Sequence, residues 1–255
     1  VQQLTGYLEM TNGMGQFRLD SEKLRLTFPA YFRSPLFFEH AQANIDWQNS
    51  PNGYKINATG VQADNSDAKL KGDVSLWLPT NNQNPFINLC GEFKVNPNAK
   101  VSPYLPINLM QPKLIKWLDH AFPQIGNGKG TIVLRGPLNN FPFPKKEGIF
   151  AVHTDINDVS LNYFEQWPIA THIFGKLNFD GPKMSVFIKS ATILNNQVKS
   201  AYGEIPILVK GIDAELHTKI NVISDLRDAA RFIQQSPLNK KLGSAFEKLK
   251  LEGDA

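Results

Sequence analysis

Apolar and polar residues alternate with a period of two over long stretches of this chain. Between 68 and 78 the even positions are Ala68, Leu70, Gly72, Val74, Leu76 and Leu78, against Lys69, Lys71, Asp73 and Ser75, with Trp77 the exception. Ile87, Leu89, Gly91, Phe93 and Val95 alternate with Asn88, Cys90, Glu92 and Lys94, and Ala41, Ala43, Ile45 and Trp47 with Gln42, Asn44 and Asp46. Near the end, Ile212, Ala214, Leu216 and Ile220 alternate with Asp213, Glu215, His217 and Lys219. Successive side chains of a strand point to opposite faces, so each segment predicts a strand with one apolar and one wet face. Shorter versions occur at Leu24-Leu26-Phe28, Tyr54-Ile56-Ala58, Val159-Leu161-Tyr163, Ile173-Leu177-Phe179 and Met184-Val186-Ile188. Together they predict roughly a dozen strands divided by Asn, Gly and Pro turns such as Asn49-Ser50-Pro51-Asn52-Gly53. One-sided alternation belongs to antiparallel sheet, since parallel sheets are covered on both faces.

Helical periodicity is sparse. Pro112 stands at a first helical position, Leu114, Ile115, Leu118 and Phe122 form one stripe, and Pro123 stops it, predicting a helix over 112–122 that covers an end or edge of the sheet. A second helix is expected from an N-cap at Ser224, carrying Leu226, Ala230 and Ile233 and breaking at Pro237. Leu238, Leu242, Ala245 and Leu249 predict a third. The Phe141-Pro142-Phe143-Pro144-Lys145-Lys146 segment reads as a rigid joint, dividing the chain into β units at 1–140 and 141–255.

Composition sharpens the picture. Charged residues are 20% of the 255, below the roughly 25% typical of soluble domains, so part of the apolar surface has no obvious place in water. Seventeen Phe and a 42% hydrophobic fraction exclude disorder. The formal charge of +4 is spread thinly, the densest cluster being Lys240-Lys241 with Lys248 and Lys250, which argues against nucleic acid as a partner. One cysteine, Cys90, excludes an intrachain disulfide and any multi-cysteine metal site. No run of about 18 apolar residues is present to form a membrane helix. Val1 is not a start methionine and Ala255 follows Gly253-Asp254 without a natural stop, so the chain is expected to be a segment of a longer protein.

Motifs for chemistry fail one by one. The Gly126-Asn127-Gly128-Lys129-Gly130-Thr131 stretch resembles a phosphate loop, but Pro123 replaces its first glycine and Gly130 its Ser or Thr, leaving a helix C-cap and turn as the reading. His40, His120, His153, His172 and His217 show no ligand spacing, no Gly-x-Ser-x-Gly elbow occurs, and Asp and Glu fall mostly on wet faces. No catalytic residue, metal site or cofactor is expected, and the chain does not read as an enzyme. What remains is the apolar face. Its residues alone leave open a dry sandwich or barrel acting as a structural or protein-binding module, and a glycan-acting enzyme that would need two convergent carboxylates.

The run Tyr104-Leu105-Pro106, Trp117-Leu118-Asp119-His120-Ala121-Phe122, Gly128-Lys129-Gly130, Leu134-Arg135-Gly136-Pro137-Leu138 and Phe141-Pro142-Phe143 resembles the AsmA-like family in its YhdP branch. Gly148-Ile149-Phe150, Trp167-Pro168, Gly175-Lys176-Leu177-Asn178-Phe179 and Ser236-Pro237-Leu238 extend the match, and Phe32-Arg33-Ser34-Pro35-Leu36 with Leu76-Trp77-Leu78-Pro79 fit upstream. Gly203-Glu204-Ile205-Pro206 departs from it, and is expected to break up a strand pair. The resemblance implies a mainly β fold: a long curved antiparallel sheet folded into an open apolar groove, with a few short amphipathic helices. It further implies phospholipid carried between the inner and outer membranes of Gram-negative bacteria, in a periplasmic segment of a protein anchored in the inner membrane through parts absent from this chain. The candidate lipid-binding residues are Leu24, Leu26, Phe28, Ile45, Trp47, Leu70, Val74, Leu76, Leu89, Phe93, Leu161, Ile173, Leu177, Phe179, Met184, Val186, Ile188, Leu216 and Ile220.

Overall fold

The computed structural model describes residues 1–209, 211–240 and 242. Twelve strands form one antiparallel sheet in which every strand pairs with its neighbours in sequence. They are β1 (Gly6–Thr11), β2 (Met14–Leu26), β3 (Leu36–Ser50), β4 (Gly53–Asp64), β5 (Ala68–Pro79) and β6 (Phe86–Val95), then β7 (Asn127–Pro137), β8 (Ile149–Leu161), β9 (Ala170–Asp180), β10 (Lys183–Ile193), β11 (Asn196–Ile205) and β12 (His217–Ile223). β1 and β12 do not pair with each other, so the sheet stays open. Helix α1 (Pro112–Ala121) lies in the β6–β7 connection behind two short 3-10 turns, and α2 (Leu226–Gln234) follows β12.

Among the described residues no second layer faces this sheet. Elements pack strand against neighbouring strand, and neither helix lies flat on it. A dry sandwich or barrel is thereby set aside, because the apolar positions are not filled by an opposing sheet. Among the described residues the buried side chains gather into two small clusters, one of Leu24, Phe38 and Ala41, the other of Ala170, Ile173, Ala191 and Val198. Both lie toward the strand ends from which the helices spring, where β2 passes to β3 and β8 to β11.

The strands bend where their ladders slip. Register shifts fall between Ala58 and Val61 in β4, Ile156 and Val159 in β8, Ile188 and Ser190 in β10, and Val198 and Ser200 in β11. Gly60, Asp158 and His172 take positive φ at or beside such irregularities, as the first residue of a G1 bulge does. An extra residue on one strand bends it and increases its twist, so the repeated bulges bend and twist the sheet. Two-residue turns close four of the hairpins: Asn12-Gly13, both at positive φ, Pro51-Asn52, Gly181-Pro182 and Leu194-Asn195.

Several expectations are corrected. The final strand covers His217–Ile223, not 212–220, because β11 ends at Ile205 and Glu204 pairs with His217, leaving 212–216 without a partner strand. Phe28 lies past the end of β2, which stops at Leu26 one residue before the turn around Pro29. Gly203-Glu204-Ile205 does not interrupt pairing, since these residues face Val186, Ser185 and Met184 in register. The 126–131 stretch is no helix cap: α1 ends at Ala121, and Asn127 already opens β7. Asp225 rather than Ser224 caps α2, its carboxylate accepting from the Asp228 amide at 2.8 Å. Helix α1 covers strand ends; the sheet's two edges, β1 and β12, are exposed along their whole length. Ala245 and Leu249 of the third expected helix lie outside the described residues.

Candidate functional site

Residues paired across a ladder share a face, so the sheet's two surfaces can be followed strand by strand. Through the centre, one row runs Ala63, Leu70, Phe93, Gly130, Thr154, Leu177, Val186 and Gly203. A second runs Ala58, Val74, Leu89, Leu134 and Phe150, and a third Gly72, Gly91, Ile132, Val152 and Phe179. From β5 to β10 no charged side chain stands on this face among the described residues. The opposite surface carries Lys71, Glu92, His153 and Asn178, and beside them Asp64, Lys69, Lys94, Lys129, Asp155 and Lys176. A single-layer sheet with one greasy and one charged surface results.

The apolar face is half-covered even without a second layer. Along β6 the apolar residues are half-buried while their polar neighbours are exposed. Part of that shelter comes from aromatic rings lying across glycines on the adjacent strand. The Trp47 indole occupies the place where a Cβ of Gly15 would stand, and a Cβ on Gly130 would fall 2.6 Å from Phe93 Cζ. Gly72 and Gly91 face each other directly, with a Cβ on Gly72 only 2.8 Å from Gly91 Cα. A glycine in a strand costs stability but admits close approach, here of a ring or of a neighbouring backbone. Rings lying over glycines keep the face apolar without tall side chains rising from it.

Seventeen of the nineteen candidate residues lie on strands, and they share this surface: Leu24 and Leu26 on β2, Ile45 and Trp47 on β3, Leu70, Val74 and Leu76 on β5, Leu89 and Phe93 on β6. Leu161, Ile173, Leu177, Phe179, Met184, Val186, Ile188 and Ile220 continue it on β8, β9, β10 and β12. Leu24 and Ile173 are already buried in the two clusters. Phe28 and Leu216 stand off the sheet ladder, both exposed. Leu8, Phe17, Ile132, Leu134 and Val152 belong to the same face and were not anticipated. The glycines of β7 and the apolar run Ile149-Phe150-Ala151-Val152 hide the alternation there, though the Ile132-x-Leu134 spacing is present.

Strand ends are secured by polar contacts. Tyr104 Oη donates to Asp67 at 2.9 Å and accepts from Asn65 Nδ2 at 2.8 Å, while Asn65 also donates to the Phe37 carbonyl at 2.7 Å. Burial and the Asp67 carboxylate push the Tyr104 phenol up to about 12. Asp119 on α1 takes the Arg33 guanidinium at 3.0 Å and the Ser102 hydroxyl at 2.9 Å, and Arg33 holds its carboxyl below the usual range. Trp117 Nε1 donates to the Tyr163 carbonyl at 3.1 Å, joining α1 to the β8–β9 loop.

Cys90, His40, His153 and His172 all stand away from the apolar strand rows. Cys90 is exposed on the charged surface between Asp73 and Val133. His40 and His172 stand against Asp64 at 3.2 Å and Asp158 at 2.9 Å, and His153 against Asn178 at 3.1 Å, all exposed. Among the described residues no three His, Cys, Asp or Glu stand together as a metal would need, and no helix is long and apolar enough to cross a membrane.

Comparison with known proteins agrees with this geometry. The family model described as "YhdP protein" matches residues 1–255. The chain is also 20% identical over 244 residues to the "Intermembrane phospholipid transporter YhdP" of Escherichia coli (strain K12), covering 94% of this chain. It spans 19% of that protein's length. No solved structure matches. Together with the open twelve-stranded sheet, the full-length family match makes the chain a member of the YhdP family.

Proposed function

We propose that the apolar face is a track for phospholipid acyl chains, and that the chain forms part of a periplasmic conduit carrying phospholipid between the inner and outer membranes of a Gram-negative cell. The observation that carries this reading is a single-layer sheet whose central strands show a face without charge and without an opposing layer. An uncovered apolar surface of this extent is unfavourable in water unless something apolar covers it. The E. coli relative's description as a phospholipid transporter names the chemistry of such a cover.

The energetics suit the task. Each acyl methylene brought into water costs about 0.8 kcal/mol, so a lipid with roughly 30 methylenes faces about 25 kcal/mol against crossing an aqueous gap. A continuous apolar face removes most of that cost without any reaction. Twelve strands at about 4.8 Å spacing make a track on the order of 50 Å along the sheet. The lack of charged anchors on the central strands of the face also helps, because a site that holds its cargo tightly does not pass it on. The head group stays in water at the mouth of the trough, and no cofactor takes part.

Photoreactive residues test the reading face by face. Placed at Leu89 and Phe93, they should label phospholipid; placed at Glu92 and Lys94 on the same strand, they should not. Labelling from the charged surface alone, or from neither, would sink the proposal.

A further inference from the structure

The surface opposite the apolar face is not evenly charged. Followed across the ladders, one of its rows runs Asp64, Lys69, Lys94, Lys129, Asp155 and Lys176, from β4 to β9. The next row on that surface runs Gln62, Lys71, Glu92, Thr131, His153 and Asn178. Lys71 stands opposite Glu92, and Lys176 pairs with Asp155 at 3.8 Å. Lys94 is placed differently. Lys69 and Lys129 stand directly opposite it on either side, and among the described residues none of these three makes an ion pair. Like charges directly opposite each other destabilise a sheet. All three lysines are exposed, so no burial offsets that cost. A surface that had only to stay wet would do better with opposite signs across the ladder, as Lys71 and Glu92 have.

The two rows are the walls of a groove. A depression of about 960 Å³ lies over β4 to β9, and Lys69, Lys71, Glu92, Lys94, Lys129 and His153 are among its lining residues. Its floor is backbone, because Ala63, Leu70, Phe93, Gly130 and Thr154 between the rows belong to the apolar face. Six strands at about 4.8 Å spacing make the groove about 24 Å long, and rows two residues apart stand about 7 Å from each other. That is room for one extended chain.

We infer that this groove binds an extended acidic segment of a partner protein, laid across the strands with its carboxylates against Lys69, Lys94 and Lys129. A bilayer surface is a plane, and would touch the lysine tips without entering the groove. A nucleic-acid strand would find no rings to stack on, since the floor is backbone. An extended polypeptide fits: seven residues span about 24 Å, and alternate side chains face one wall at intervals of about 7 Å. The lysine wall also sets an order. Asp64 and Asp155 stand at the two ends of the three lysines, so the matching segment is acidic in its middle and basic or neutral at its ends. Thr131 and Asn178 on the other wall offer hydrogen bonds to its backbone. The inference is independent of what the apolar face carries.

The test is fluorescence anisotropy at low salt, where charges are least screened. The probe is a labelled nine-residue peptide with glutamates at its third, fifth and seventh positions, lysines at both ends and serines elsewhere. The full chain should bind it. Lys94→Glu should weaken binding at least about fivefold, since the reversal removes one attraction and adds one repulsion, each up to a factor of about five for an exposed pair. Lys55→Glu makes the same charge change on the same surface outside the groove, and should leave binding within about twofold of the parent. A peptide of the same composition, with its lysines moved to the middle and its glutamates to the ends, should bind at least about fivefold more weakly. In urea, Lys94→Glu should unfold at a higher concentration than the parent, because two repulsions become attractions. Phosphatidylglycerol vesicles should not displace the peptide. Equal loss by Lys55→Glu, equal binding of the reordered peptide, or no binding by the parent chain would overturn the inference. So would a loss of stability in Lys94→Glu that matches its loss of binding. Displacement by the vesicles would assign the groove to lipid head groups and overturn it as well. None of these results touches the apolar face, since Lys94 stands on the opposite surface.

Discussion

Replacing Phe93 with aspartate puts a carboxylate in the middle of the proposed track, on β6, between Leu70 and Gly130. Two effects follow and they separate. The half-buried ring lies across Gly130, and losing it costs about 2 kcal/mol of stability, roughly half the value for a fully buried Phe. The second effect concerns lipid. Strands are about 4.8 Å apart, so about three methylenes of an acyl chain lie over each strand and forfeit their cover beside a charge. At about 0.8 kcal/mol each that is roughly 2.4 kcal/mol, about fiftyfold in affinity. Titration with a fluorescent phospholipid measures the second effect, and urea unfolding the first. Lys94→Glu is the control, being the next residue on the same strand but on the charged surface. Loss of affinity by Phe93→Asp in proportion to its lost stability alone, or equal loss by Lys94→Glu, would refute the reasoning.

Other consequences are equally concrete. Leu76→Glu, on β5 and on the same face, should weaken lipid binding to a similar degree while Ser75→Glu on the other face leaves it unchanged, read by the same titration. Gly60→Ala should cost about 1 kcal/mol in urea unfolding, since its φ of +60° is strained for alanine although the nearest atom is 4.0 Å from the new methyl. Tyr104→Phe should cost about 1–3 kcal/mol, because it leaves the Asn65 amide and Asp67 carboxylate short of a partner. The phenol is raised to about 12 in the folded chain against about 10 unfolded, so its contribution is complete below about pH 10 and is lost as pH rises toward 12. Tyr104→Phe should flatten the alkaline limb of the stability profile. Arg33→Ala should change stability by no more than about 1 kcal/mol, as partly exposed ion pairs do.

Much of this architecture was legible in the residues. Strands β5 and β6 show their alternation without interruption, because they pair without a bulge and one surface meets water. Helix α1 announced itself through Pro112 and Pro123, local signals that need no tertiary context. Less was readable where the backbone slips. In β11 the extra residue between Val198 and Ser200 shifts the period, and the strand escaped notice. The reverse error arose at 212–216, where Ile212, Ala214 and Leu216 alternate as a strand does but have no ladder to join. Alternation records which side chains can share a face; it does not record whether a partner backbone is present. The openness of the sheet is invisible for the same reason. The same face would suit a dry core, and only the lack of an opposing layer separates the two.

The central claim, that the apolar face carries acyl chains, is tested most directly by native mass spectrometry of the chain purified from cell membranes. Phospholipid should remain bound to the parent chain, be retained in Lys94→Glu, and be lost in Phe93→Asp. A parent chain that emerges free of phospholipid, or one whose bound lipid is untouched by Phe93→Asp, would contradict it.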